Sequence, residues 1–247
     1  MTDATVSLGG NIVTEISPSN GSFPLAQNES YFFFYLKSIE KERFEIDGGS
    51  LVLLPICGNG RIEINGEKIT SQSLLKARAE NFLFEIHGKA EILIGGIKGN
   101  FSRNFSLTSL SEIKKVQKPW GYELWYLGEE DEFAFKKLFL KSKSRSSLQY
   151  HQKKKETQFL YDGKMKLHYY PEKFSDGKEI NVEDIKQREL KARASVHIDP
   201  MTIHRMEGVT DITIFEISTP ELDDVIRLQD DSSRLSGRIE SEHNQAS

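Results

Sequence analysis

Cysteine is nearly absent from this chain: Cys57 is the only one. A single thiol excludes an intrachain disulfide framework and fits a reducing compartment. Long apolar runs are missing too, since no stretch approaches the roughly 18 consecutive apolar residues of a membrane helix. The N-terminus, MTDATVSLGGNIVTE, lacks a positive segment followed by an apolar one, so neither export nor membrane insertion is expected and the cytosol is the expected location. There is no excess of basic charge: 33 Lys and Arg stand against 37 Asp and Glu, a net charge of -4. That balance excludes the electropositive footprint that nucleic-acid binding needs.

What is present is a chain with 37% hydrophobic residues, enough to bury an ordinary core, cut into short apolar stretches by turn residues. Residues 31–36, 51–55, 61–64, 81–86 and 91–94 read as strands. Asn65-Gly66, between RIEI and EKIT, tolerates the two positive φ angles of a type I′ hairpin. Gly48-Gly49 and Gly58-Asn59-Gly60 supply further turns. No amphipathic helix of four turns interrupts this half, so the first hundred residues read as all-β.

Residues 104–117, NFSLTSLSEIKKVQ, form a polar connection with room for a short helix. Strand patterning resumes at residues 133–140, 157–161, 164–170, 195–198 and 212–217, with Asp162-Gly163 as a second tight hairpin turn. Alternation over residues 164–169 puts Met165, Leu167 and Tyr169 on one face and Lys164, Lys166 and His168 on the other. His168 is therefore expected at the surface. Residues 171–191 read as a long charged loop with a helical turn or two, and the polar end, 236–247, is expected to be disordered.

The chemistry concentrates in LQYHQKKKETQFLYDG. Gln149, His151 and Glu156 supply an amide oxygen, an imidazole and a carboxylate, all competent metal ligands. Gln149 and His151 are two apart and so share one face of a strand, while the intervening QKKK lets Glu156 return on a neighbour. A fourth ligand must come from elsewhere: His204, after a proline-containing turn in HIDPMTIHRMEG, with His197 as its competitor. By residue chemistry alone, scattered surface positions are an even alternative to a metal site. Lysines 153–155, a run in a tight turn, read as solvated surface.

Gln149-x-His151-x4-Glu156-x6-Gly163 is similar to the first motif of the cupins, with glutamine in the first histidine position. Ser147-Leu148-Gln149 resembles the same segment of type II mannose-6-phosphate isomerases. Upstream, KPWGYELWY (residues 118–126) resembles the opening motif of that group, and downstream STPELDDVIRLQDDSSR (residues 218–234) resembles its closing one. Three motifs in order over about 115 residues are a specific signal. There are departures: Lys143 and Met201 stand at the two motif glycines, Asp199 precedes Pro200, and Gly208 replaces an asparagine after His204.

The resemblance implies an all-β fold of two cupin (double-stranded β-helix, jelly-roll) barrels in tandem: residues 1–103 a degenerate barrel without metal, 104–117 a connection, 118–235 a metal-binding barrel and 236–247 a tail. It implies a divalent metal on Gln149, His151, Glu156 and His204, with zinc first and Fe, Mn or Ni as alternatives. The implied activity is metal-dependent aldose-ketose isomerisation of a sugar phosphate, with Lys136, Arg205 and Arg227 serving the anionic group. Trp120 and Tyr122 are either pocket walls or core. A non-catalytic sugar-binding bicupin and a mononuclear iron dioxygenase are the alternative readings, the partners are small sugars rather than nucleic acid or membrane, and a homodimer is expected because sheet edges pair.

Overall fold

The computed structural model describes residues 4–8, 10–16, 21–70, 72–128, 131–172, 174–175 and 180–243. It is built from antiparallel strands in two compact units, residues 18–113 and residues 1–17 with 114–247. The boundary differs from the expected one. Ala4–Leu8 pairs with Asn11–Glu15, which pairs in turn with Ala194–Ile198, so these N-terminal strands extend a sheet of the second unit. Asn104–Ser109 pairs with Ser73–His87 in the first unit. What remains of the connection is the 3-10 turn Leu110–Glu112 before the strand Lys114–Lys118.

In residues 18–113 one sheet wraps around an apolar interior that includes Phe32, Leu51, Leu53, Ile64, Phe82, Phe84 and Ile94. Asn65 and Gly66 both have positive φ, at 48° and 85°, and join Arg61–Ile64 to Glu67–Ile69 as the sequence suggests. Gly48-Gly49 is not a turn. It lies inside the long strand Lys41–Gly58, where a Cβ on Gly49 would stand 2.0 Å from the Ile97 carbonyl oxygen. Phe44 and Ile46 before the pair and Leu51 and Leu53 after it all pack in the same apolar cluster.

The second unit stacks an eight-stranded sheet on a five-stranded one. In the eight-stranded sheet Ala134–Leu140 lies between Gly121–Leu127 and Ile212–Ser218, and Glu156–Asp162 lies between Ile212–Ser218 and Ala194–Ile198. In the five-stranded sheet the order is Lys186–Lys191, Lys164–Tyr169, His204–Gly208, Leu148–Tyr150, Ile226–Gln229. Leu138, Leu160 and Ile214 from the first sheet pack with Met165, Leu167 and Met206 from the second in one core cluster.

Two turn expectations are corrected. Asp162-Gly163 carries the chain from one sheet to the other, since Glu156–Asp162 and Lys164–Tyr169 belong to different sheets. Gly163, at φ 90°, is packed so that a Cβ would meet the Asp211 carbonyl oxygen at 2.3 Å. The charged excursion contains a strand, Lys186–Lys191, paired along Lys164–Tyr169. The tail is ordered through His243, with Glu240–His243 helical; residues 244–247 lie outside the described residues.

The missing motif glycines left their backbone conformation behind: Lys143 and Met201 have φ of 63° and 61°. Both turns are therefore built, with a side chain where glycine would be relaxed. Lys143 is exposed, so K143G relieves a penalty of about 1–2 kcal/mol against roughly 0.4–1 kcal/mol of added unfolded-state freedom. The urea midpoint of K143G should hold or rise by up to ~1 kcal/mol equivalent, and a clear fall would show that Lys143 contributes a contact outweighing its strain.

Candidate metal centre

The register explains how distant residues meet. Leu148–Tyr150 pairs with His204–Gly208 at Gln149 and His204, which places both at the same level of the five-stranded sheet. Glu156 begins a strand of the opposite sheet, across from Ile198 and Ser218. One ligating atom each from His151, Glu156 and His204 lie within 4.8 Å of one another, and all three side chains are buried. His204 Nε2 is 3.2 Å from Glu156 Oε1, and His151 Nε2 is 3.9 Å from Glu156 Oε2. Burial pushes the His151 imidazole down to about 3, against the pull of Glu156, so it is neutral at physiological pH.

Both imidazoles are oriented by backbone. His151 Nδ1–H donates to the Asp224 carbonyl at 2.5 Å, and His204 Nδ1–H donates to the Thr202 carbonyl at 3.0 Å. Carbonyls only accept, so each ring spends its Nδ1–H on backbone and turns its Nε2 toward the site. The His151 Nε2 is buried with no partner. An orphaned imidazole lone pair beside a second imidazole and a carboxylate is the donor set of a divalent metal, with the backbone contacts that fix ligand tautomers. Gln149 completes it in part: its Oε1 accepts from Ser147 Oγ at 2.6 Å and its Nε2 stands 3.5 Å from His204 Nε2. Half a turn of the amide keeps the Ser147 contact, because a hydroxyl donates or accepts, and presents the oxygen to the site.

The expected competitor His197 stands apart, 2.8 Å from Thr157 Oγ1 and 3.4 Å from Asp199. His168 does face away from Leu167, as alternation requires, but it is buried and bonded to Glu207 at 2.8 Å rather than solvated.

The reading of the lysine run fails at its middle member. Lys154 is buried, with its ammonium bonded to Glu156 Oε2 and, at 2.9 Å, to Glu216 Oε1. Burial alone would lower its pKa, yet the two carboxylates hold it above the usual lysine range. Burial likewise opposes ionisation of Glu156, while the Lys154 ammonium keeps its pKa well below the ordinary value. Glu216 is pushed up, by burial first and then by Glu156. Gln158 Nε2 bridges the carboxylates, at 3.2 Å from Glu156 and 3.3 Å from Glu216.

The cavity beside these groups has a volume of about 100 Å³. Lys136 lies across from Glu216, which lies across from Gln158, and all three line it. The Lys136 ammonium sits 3.8 Å from the centre of the Trp125 ring. Arg227 also lines the cavity, whereas Arg205, one residue along the strand from His204, does not: it binds the Gln229 side chain and backbone at 3.1 and 3.0 Å on the far face of the sheet. Trp120 is both wall and core. Tyr122 stacks on Phe139 and is not part of the wall.

Glu216 and Gln158 were missed by sequence reasoning, but a signal existed. In ITIFEIS, Glu216 shares a face with Ile212 and Ile214, and in ETQFLYD Gln158 shares a face with Leu160. Asp224 lies in the closing motif, and its function is visible only in three dimensions. Its carboxylate accepts the backbone N–H groups of Gln152, Lys153 and Lys154, at 3.1, 2.5 and 2.9 Å, while its own carbonyl holds His151.

No protein-family model matches the sequence, and no curated protein matches it. Solved structures do. A structure of Bacillus subtilis oxalate decarboxylase from a study of its Mn(II) centres aligns with a TM-score of 0.61 at 10% identity, and a two-residue deletion mutant of that enzyme with 0.60 at 11%. Both alignments cover 92% of this chain and 77% of theirs. At that identity the likeness shows the fold, which is two cupin barrels in tandem.

Replacing Asp224 with alanine should loosen the Gln152–Lys154 turn and weaken divalent-metal binding by about 10–100-fold, the usual effect of removing groups that orient ligands. Competition with a chromogenic chelator measures this, and unaltered affinity in D224A would show that the turn holds without its carboxylate.

Proposed function

We propose that this chain is a metal-dependent enzyme acting on a sugar phosphate or a related sugar, of the aldose-ketose isomerase type. The observation that carries the reading is the convergence of two inward-facing imidazoles and Glu156 beside a cavity containing a hydrogen-bonded Lys154–Glu216 pair. The resemblance of the three ordered motifs supplies the substrate class. The ligands would be His151, His204, Glu156 and Gln149, a mixed nitrogen and oxygen set compatible with Mn, Fe or Zn. The Mn(II) centres of the structural neighbour favour testing Mn first. A bound divalent ion would supply Lewis acidity toward a sugar carbonyl.

The chain's own residues supply the rest. Glu216, with its proton affinity raised by burial and by Glu156, is the candidate general base for moving a proton between adjacent carbons. Lys154 donates a charge-assisted hydrogen bond suited to a developing oxyanion beside it. Lys136, across the sheet from Glu216, and Arg227 place further positive charge on the cavity wall. Trp120, Leu222 and Val225 contribute its apolar surface.

Metal-loaded protein should turn over at least one member of a panel of hexose and heptose phosphates and nucleotide sugars. E216Q should lose about 10²–10⁴ in kcat while keeping its metal. Absence of turnover across the panel, with ligand-dependent stabilisation retained, would replace this reading with that of a sugar-binding bicupin.

A further inference from the structure

A carboxylate from the chain's own end stands in the cavity wall away from the candidate ligands. Glu242, in the short helix Glu240–His243, accepts from Lys118 Nζ at 2.8 Å and from Arg234 Nη1 at 3.2 Å. The three side chains are only 9–10% exposed. All three line the cavity, as does Arg227. The Arg227 Nη1 is bound to the carbonyls of Leu235 and Gly237, and its Nε is buried without a partner.

The cationic side of this corner does not depend on the helix. Lys118 ends the strand Lys114–Lys118, and Arg227 lies in Ile226–Gln229, registered with Gln149. Arg234 is fixed by Asp230, which accepts from its Nη2 at 2.7 Å and its Nε at 3.1 Å. A further acid, Glu123, is 3.7 Å from Lys118 and is engaged by Trp125 Nε1 at 2.7 Å. Take Glu242 away and the Lys118 ammonium and Arg234 Nη1 lose their closest anion, while the guanidinium and ammonium donors stay in place. Arg234 would keep Asp230 and Lys118 the more distant Glu123, but buried cations that lose part of their compensation are unfavourable, and a fork of Arg and Lys donors captures anionic oxygens.

We infer that the Lys118–Arg227–Arg234 corner is an anion-binding site for a carboxylate or phosphoryl group, and that Glu242 occupies it as an intramolecular stand-in. The Glu240–His243 segment thus competes with an external anion for the same donors. The proposal does not involve the candidate metal ligands, so it stands or falls independently of the metal reading.

The test is calorimetric titration of inorganic phosphate, and separately of acetate, into the metal-free full chain. E242Q should bind at least one of the two anions ten or more times tighter than wild type, and the tighter anion identifies the group. Adding K118M to E242Q should remove that gain. Equal affinity in wild type and E242Q, or full retention of the gain in the double variant, overturns the site. Should E242Q fold only when phosphate or acetate is present, the site is supported; a variant folding in neither makes Glu242 a scaffold residue and overturns it.

Discussion

Two carboxylates on neighbouring strands cannot be buried together uncompensated, and the lysine between them is the constraint on which the second barrel depends. Glu156 and Glu216 both face the interior, where desolvation of each charge is worth several kcal/mol. Lys154 satisfies both at once, and Gln158 ties their remaining oxygens together. For Lys154 to reach inward, the turn between His151 and Glu156 must hold its ammonium under the sheet. Asp224 provides this by accepting three consecutive backbone N–H groups. The same residue's carbonyl orients His151, so the fold of the turn, the compensation of charge and the direction of an imidazole lone pair are one arrangement.

The barrel interior is consequently divided along its strands. At one end Leu138, Leu160 and Ile214 lie side by side across three strands; one step along, Lys136, Gln158 and Glu216 occupy the equivalent row. The apolar row contributes core and the polar row lines the cavity. This division places Lys136, Gln158 and Glu216 on paired strands rather than on a loop, which holds their geometry closely.

Strands such as Arg61–Ile64, Lys164–Tyr169 and Ile212–Ser218 were legible because period-two alternation and Gly-containing turns are local signals, as at Asn65-Gly66. Several strands escaped, among them Gly21–Gln27, Gly121–Leu127 and Lys186–Lys191; Asn11–Glu15 joins its sheet through the distant Ala194–Ile198, and nothing in its own residues names that neighbour. Gly48-Gly49 and Asp162-Gly163 carried real signals whose meaning differed, because glycine marks close backbone approach as well as reversal. For the candidate site, spacing and motif resemblance singled out Gln149, His151, Glu156 and His204, and the fold brings ligating atoms of His151, Glu156 and His204 within 4.8 Å of one another. Lys154 was misread because a lysine run in a turn is normally solvated; only the buried acids Glu156 and Glu216 reverse that expectation. Arg205 was misassigned because adjacency to His204 along a strand puts it on the opposite face.

His151, His204 and Glu156 converge as one candidate divalent-metal site, with Gln149 beside it. Anomalous diffraction from crystals grown with Mn(II) tests this most directly. A single strong peak is expected in this barrel, within about 2.0–2.4 Å of both Nε2 atoms and a Glu156 oxygen. A map with no peak there, and Lys154 undisturbed between Glu156 and Glu216, would contradict it and leave the cluster as a charge network internal to the fold.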